Sequence, residues 1–334
     1  MIHNCSQYVC EYIWIGGNGE LRSKTRVMRD IILKIDSIPV PEWNYDGSST
    51  NQAPSDGNTE VILRPCAIFK DPFRFIDKRI CILVLCETYD NNGNPLPSNY
   101  RNKAATIFKN VTEQIPWFGL EQEYSIKFNN NHFTPVNNGS HYCGFANKLE
   151  RTIVEEHLSA CILSGLNISG INAEVASEQW EFQIGPSEGI HAADELTIAR
   201  YLLQRVAEKH NANIDYTPKI SETANGSGCH INFSTEKMRE EDGINEIMSC
   251  IEKLERTHTE HINVYGENNH LRLTGKHETS DFNKFTWGIG TRNTSVRIPN
   301  ITKKKGCGYF EDRRPAANID PYQATSIIAE TCCA

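Results

Sequence analysis

Three short segments of this chain alternate apolar and polar side chains with a period of two, and each places reactive groups on its polar side. In GCHINF, Cys229, Ile231 and Phe233 fall on one face, with His230 and Asn232 on the other. In EQWEFQIGP, Trp180, Phe182 and Ile184 oppose Glu181 and Gln183. In WFGLEQEYSI, Glu121 and Glu123 share a face, and Leu120, Gln122, Tyr124 and Ile126 lie opposite. Period two is the signature of an extended strand, so these segments form a sheet with one apolar face to bury and one polar face left open. ERTIVEEHLSACILSG, ADELTIARYLLQRVAEKH and INEIMSCIEKLERTHTEHI have the helical spacing needed to cover the apolar face, and the first of them ends on Gly165.

Upstream the pattern differs. YVCEYIWI, LRSKTRVM, TEVILRP and KRICILVLCETY are β-like runs, the first two joined by the hairpin-turn sequence GGNGE. NNGNPLPS at 91–98 gathers turn formers and two prolines. This reading gives an α+β chain with a small strand-rich domain over 1–93 and a larger domain over 94–334, a size consistent with two cores.

A net charge of −8 argues against a general nucleic-acid binder, which needs a basic face to displace phosphate counterions. Lys303, Lys304 and Lys305 form the one basic run and read as a solvated loop. No stretch approaches the roughly 20 apolar residues that span a bilayer. Twelve cysteines occur without a C-x-x-C pair; Cys81, Cys161 and Cys250 sit in apolar segments and are expected as buried thiols of a reducing compartment. The N-terminus lacks the basic start and apolar centre of a signal peptide, so the expected location is cytoplasmic.

Two carboxylates as close as Glu121 and Glu123 repel unless a cation lies between them, although a solvated sheet face would also tolerate them. Glu174 in NAEV, Glu181, His230 and Glu311 in YFEDRRP lie in or beside similar apolar segments. Five carboxylates and an imidazole on one face are an oxygen-rich donor set, suited to Mg²⁺ or Mn²⁺ rather than zinc or copper, and to more than one ion. Arg272, Arg292, Arg297, Arg313 and Arg314 form the complementary set, either as surface ion pairs or as clamps for phosphate or carboxylate groups. Cations with arginine clamps point to phosphoryl transfer, here without a Walker loop.

EWNYDGSST, FKDPFR, PWFGLEQEY, NAEVASEQWEFQIGP, NGSGCHINFS, RLTGKHETS, TRNTSVRIP and GYFEDRRPAANIDP resemble, in order, the signature segments of eukaryotic-type (type II) glutamine synthetase. The resemblance implies a β-grasp N-terminal domain followed by a catalytic domain with a curved antiparallel sheet backed by helices. It also implies ATP-dependent amidation of glutamate by ammonium through γ-glutamyl phosphate, with two or three Mg²⁺ or Mn²⁺ ions. By motif, Glu123, Glu174 and Glu181 would hold one ion and Glu121, His230 and Glu311 another. Asn232, Ser234, Arg292 and Arg297 would meet ATP; Asn225, Gly226, Arg272 and Arg313 would hold glutamate; Asp46 and Ser49 would meet ammonium. Asp46, Glu278, Arg292 and Arg313 would be the catalytic set, with Glu278 closing over the intermediate. The family assembles as stacked five-membered rings, implying a homo-oligomeric decamer in which Asp46 serves a neighbour's site. Thr223-Ala224 and Thr291 depart from the usual residues beside glutamate and Arg292, and the loop between Tyr124 and Tyr142 is short. A ligase for a different amine or carboxylate, or a non-catalytic relative, are the alternative readings.

Overall fold

The computed structural model describes residues 6–30, 40–53, 57–76, 79–128, 141–145, 148–219 and 225–333. The chain divides into two compact units, one of residues 1–103 and 159–166, the other of 104–158 and 167–334.

In the first unit, β1 (Ser6–Ile15) and β2 (Leu21–Asp30) form an antiparallel hairpin. Gly19, at φ 79°, supplies the left-handed turn residue that GGNGE announces. β3 (Trp43–Asp46), β4 (Glu60–Lys70) and β5 (Ile80–Tyr89) complete a sheet of order β2-β1-β5-β4-β3. Its central pair, β1 and β5, is parallel, and the other pairs are antiparallel, which is the grasp arrangement. β4 runs beyond TEVILRP because a register shift between Pro65 and Ala67 lets the strand pass its proline. Alternate residues Tyr8, Cys10, Tyr12 and Trp14 pack with Val61, Leu63, Ile82 and Val84 in one core. Glu11, on the opposite side of β1, is buried and paired with Arg74 at 2.6 Å; Arg74 also holds Asp71 at 2.6 Å, so the FKDPFR segment is fastened by charge.

The second unit holds an eight-stranded, curled sheet of β6 (Trp117–Phe128), β7 (Ile168–Ala173), β8 (Gln179–Glu188), β9 (Ala212–Asp215), β10 (Cys229–Ser234), β11 (Trp287–Ile289), β12 (Val296–Ile298) and β13 (Phe310–Asp312). The order is β11-β12-β13-β10-β6-β8-β7, with β9 extending the edge of β6 past β10, and only β11 and β12 run parallel. The long strand β6 is therefore the spine. A bulge between Phe118 and Leu120 bends it, and Gly185 at φ 103° on β8 leaves room for the Phe118 carbonyl, which a Cβ would strike.

The alternation in the sequence is realised. Leu120, Tyr124, Ile126, Trp180, Phe182, Ile184, Cys229, Ile231, Phe233, Val296 and Phe310 are all buried. Each large side chain withdrawn from water this way stabilises the fold by about 1.5–3 kcal/mol. The covering helices are α2 (Lys148–Ser164), whose His157 meets the Phe182 ring edge-on, and α3 (Ile190–Lys209), packed on β6, β8 and β9. α5 (Gly243–Arg256) and α8 (Pro321–Cys333) pack on each other, and α8 also meets α3. α1 (Tyr100–Asn110), α4 (Glu236–Arg239), α6 (His258–Ile262) and α7 (Asn300–Lys305) are shorter. Lys303–Lys305 thus end a helix rather than lie in a loop; all three are exposed, and Gly306 at φ 73° terminates the turn. The cysteines among the described residues are free thiols, with Cys81, Cys161 and Cys250 buried. No helix of the described residues is long and apolar enough to cross a membrane.

Candidate active site

Strand register, rather than loop placement, assembles the polar face of the second unit. His230 on β10 pairs with Glu121 on β6, and Glu121 pairs on its other side with Gln183 of β8. One step along, Glu123 lies opposite Glu181, which in turn faces Asn172 of β7. On the other flank Asn232 pairs with Glu311 of β13, and Glu311 with Arg297 of β12. Cross-strand neighbours on one face have Cβ atoms roughly 5 Å apart, so these pairings force the acids together.

Glu121, His230 and Glu311 offer ligand atoms that all lie within 4.8 Å of one another. His230 Nδ1 faces both acids, 3.5 Å from Glu121 Oε2 and 3.5 Å from Glu311 Oε1. Burial, with the Arg313 guanidinium close by, holds the imidazole well below its usual pKa and hence neutral. Asn232 Nδ2 donates to Glu121 Oε1 at 2.8 Å. Glu311, fully buried, lies between two guanidinium groups: Arg313 Nη1 donates to Oε1 at 2.6 Å, and Arg297 Nε lies 2.6 Å from Oε2. That last contact has the distance of an ion pair without hydrogen-bond alignment, so Oε2 still has lone-pair capacity.

Glu123, Glu181 and Glu174 form a second acidic group. Burial, then repulsion from Glu174, pushes the Glu123 carboxyl up to about 8. Burial followed by repulsion from Glu121 and Glu123 pushes Glu181 up to about 9, and burial raises Glu174 as well. Glu123 Oε2 accepts from Gly228 N at 2.8 Å and Gln179 Nε2 at 3.1 Å; Glu174 Oε1 accepts from Asn172 Nδ2 at 2.8 Å; Gln183 holds Glu181. Among the described residues only Glu121, His230 and Glu311 bring ligand atoms within 4.8 Å of one another; Glu123, Glu174 and Glu181 are a looser set, whose buried negative charge a cation would offset.

Arg272 is buried, and burial lowers its pKa to about 10. Its guanidinium donates to the Arg314 and Arg313 carbonyls at 3.2 and 3.0 Å and meets His230 Nε2 at 2.9 Å. The chain passes this tightly because Gly228 has no side chain: a Cβ there would come within 2.5 Å of Arg272 Nη2 and 2.8 Å of His230 Nε2. Asn225 and Gly226 are half-buried at the same turn, and Gly226 O accepts from Gln179 at 3.1 Å. Thr223 and Ala224 lie outside the described residues, as do 129–140 of the short loop.

Glu278 and Arg292 are half-exposed and paired at 3.0 Å; Arg292 also bonds the Tyr142 side chain. Glu278 follows His277, and both have positive φ, 62° and 51°, conformations that non-glycine residues hold only at a cost in strain. Arg313 Nε donates to the Arg292 carbonyl at 3.1 Å. Arg314, by contrast, is no clamp: it points away from the acids, fully buried against Asp312. Asp46 and Ser49 belong to the first unit, where Asp46 caps the turn Gly47–Thr50; the Ser48 N–H lowers its pKa and leaves the carboxylate exposed and ionised. They are not part of the constellation the second unit builds.

A cavity of about 410 Å³ adjoins Glu121 and includes Asn232 and Ser234 in its wall. Trp117, Arg239 and Tyr309 also line it, and Arg239 stacks over the Trp117 ring at 4.0 Å while donating to Ser234 at 3.0 Å. These three were not singled out in the sequence. Parity was the available signal, since Tyr309 precedes Glu311 by two residues and Trp117 opens the strand of Glu121.

An acid-lined sheet face with arginines around it and a partly aromatic cavity beside it defines a class of cation-dependent enzyme sites. Residues 106–332 match the family described as glutamine synthetase, catalytic domain. A putative glutamine synthetase of Acanthamoeba polyphaga mimivirus is 52% identical, over 97% of this chain and 94% of the relative. Glutamine synthetase cytosolic isozyme 2 of Glycine max is 50% identical and root isozyme 5 of Zea mays 49%, each over 97% of this chain and 93% of the relative. The chain belongs to the glutamine synthetase family, in its eukaryotic-type branch.

Proposed function

We propose that this protein is an ATP-dependent glutamate–ammonia ligase. The observation that carries the reading is the register that sets His230 and Glu311 beside Glu121 while Glu123 faces Glu181. Glu121, His230 and Glu311 would hold one divalent cation, and Glu123, Glu174 and Glu181 a second, with Mg²⁺ or Mn²⁺ preferred by so many carboxylate oxygens. Bound there, such cations would supply neutralisation of phosphate charge during transfer of the ATP γ-phosphoryl group to glutamate.

The protein's own groups do the rest. Trp117 and Tyr309, with Asn232, Ser234 and Arg239, offer the nucleoside of ATP an aromatic and polar cavity that leads to Glu121. Arg292 and Arg297 would grip the phosphates, and Asn225, Gly226, Arg272 and Arg313 the glutamate. Arg272 can only donate, so its contact with His230 Nε2 fixes the neutral tautomer with the proton on Nδ1. Were Nδ1 to serve as the cation ligand, the ring proton would sit on Nε2, facing the Arg272 guanidinium, which would then be available to the carboxylate of glutamate. Cation and glutamate binding would then favour each other. Asp46, ionised, and Ser49 would receive ammonium for the site of a neighbouring subunit in a cytoplasmic decamer of stacked rings. The domain boundary at 93/94 belongs to the same reading.

The test is phosphate release by the assembled protein, expected to require ATP, glutamate, Mg²⁺ or Mn²⁺, and ammonium together; phosphate release indifferent to ammonium, or none, overturns the reading. Glu278 is read as the lid over the acyl phosphate. Glu278→Ala is expected to keep ATP binding but release phosphate in several-fold excess over glutamine, because water reaches the intermediate. A phosphate-to-glutamine ratio that stays at one removes the lid role.

A further inference from the structure

The turn His141–Phe145 docks on the end of β7, directly at Glu174. His141 Nδ1 lies 2.7 Å from the Glu174 carbonyl oxygen, and Cys143 N donates to the Ala173 carbonyl at 3.0 Å. A carbonyl only accepts, so Nδ1 carries a proton and the imidazole is the donor. The ring itself is fixed. It is 1% exposed and stands edge-on to Trp180 at 5.8 Å, while Nε2 lies 3.6 Å from Glu150 Oε2 without a hydrogen bond. Glu150, 5% exposed in the first turn of α2, is in turn held by Trp180 Nε1, which donates to the same Oε2 at 3.1 Å. Trp180 immediately precedes Glu181 on β8. Arg151, next to Glu150, donates to the Gly144 carbonyl at 3.0 Å and so ties the turn to the helix.

We propose that His141 is a positioning residue, which, packed on Trp180 in a turn tied to α2 by Arg151, clamps the backbone of Glu174 so that its carboxylate is aimed for cation binding before the cation arrives. The proposal rests on the reading of Glu174 as a cation ligand. Its physical basis is the one that makes outer hydrogen-bond partners of metal ligands matter: a ligand that must be ordered on binding gives up affinity. Glu174 follows β7 and is outside the ladder, so without the turn its main chain is fastened chiefly by its N–H to the Gln179 carbonyl at 2.9 Å.

The experiment is calorimetric titration of Mn²⁺ into the chelator-stripped full-length protein, alongside thermal unfolding without metal. His141→Phe keeps the aromatic contact and removes both nitrogens, and is expected to weaken Mn²⁺ binding by about 10-fold or more. His141→Asn returns a donor near the Nδ1 position and is expected to recover most of that loss. Unchanged affinity in a folded His141→Phe protein overturns the proposal, and so does His141→Asn binding as weakly as His141→Phe. If His141→Phe does not fold, Arg151→Met decides, since it removes the donor that ties the turn to α2 through the Gly144 carbonyl: a several-fold affinity loss supports the clamp, and native affinity rejects it. Glu174→Ala is the separate control. If it binds Mn²⁺ as the native protein does, the ligand reading itself fails, whatever His141 does.

Discussion

Replacing Glu311 by alanine is expected to lower the rate of glutamine formation by on the order of a hundred- to a thousand-fold, with most of the Mn²⁺ affinity lost from the same site. Glu311 is the most enclosed of the six proposed ligands, fully buried, and lies between Arg313, Arg297 and His230. Its removal therefore does more than subtract a donor. It leaves two guanidinium groups facing the position a cation would occupy, with Arg272 close behind on His230 Nε2. An anionic pocket becomes a cationic one. Glu311→Gln separates charge from shape, because it preserves the volume and can still accept from Arg313; it is expected to be nearly as inactive as the alanine variant. Steady-state amidation together with Mn²⁺ titration checks this, and a glutamine variant that kept a tenth of native activity would contradict it.

The faces of the strands were legible in the sequence, while their neighbours were not. Period-two alternation told that His230 and Asn232 share one side of β10 and that Trp180, Phe182 and Ile184 share the other side of β8, because side-chain direction in a strand is a local property. Which residue of β10 stands opposite Glu121 is settled by the packing of the whole sheet, and a slip by one residue would put Cys229 or Ile231 there instead of His230. Gln122 shows the limit of pattern. Its parity placed it on the apolar side, where a buried amide needs partners; Arg200 Nε supplies one at 2.8 Å and the Ala317 carbonyl another at 3.0 Å, from positions far along the chain. The specific motifs carried the rest, including Asp46 and Ser49, which no periodicity in the second unit could have named. The cavity residues Trp117, Arg239 and Tyr309 escaped because no motif joins three side chains so distant in sequence.

Arg314 is where grouping by residue type misled, and it leads to the largest expected loss of stability. EDRRP alternates: Glu311 and Arg313 face the acids, so Asp312 and Arg314 must face the core, and both are fully exluded from solvent there. Arg314 Nε and Nη2 donate to the two oxygens of Asp312 at 2.9 and 2.6 Å, a bidentate pair, and Nη1 meets His258 Nδ1 at 3.0 Å. Tyr265 donates to Asp312 at 2.8 Å and lies 2.7 Å from His261 Nδ1, whose other nitrogen is 2.9 Å from the Thr331 hydroxyl on α8. Burial holds His261 down to about 3, so it is neutral, and its Nδ1–H serves the tyrosine oxygen. The network is satisfied as a whole, which means that breaking it at one member strands the others. Arg314→Met leaves the Asp312 carboxylate buried without its cation and is expected to destabilise the protein by about 3–5 kcal/mol. Asp312→Leu combined with Arg314→Met removes the stranded charge along with its partner, and is expected to recover a good part of that loss, since apolar replacement of a whole buried pair is often close to neutral. Denaturant unfolding of the two variants beside the native protein tests both halves of the argument: a loss below about 1 kcal/mol in the single variant, or a double variant no more stable than the single one, would show that the pair is not what fastens β13 to the core.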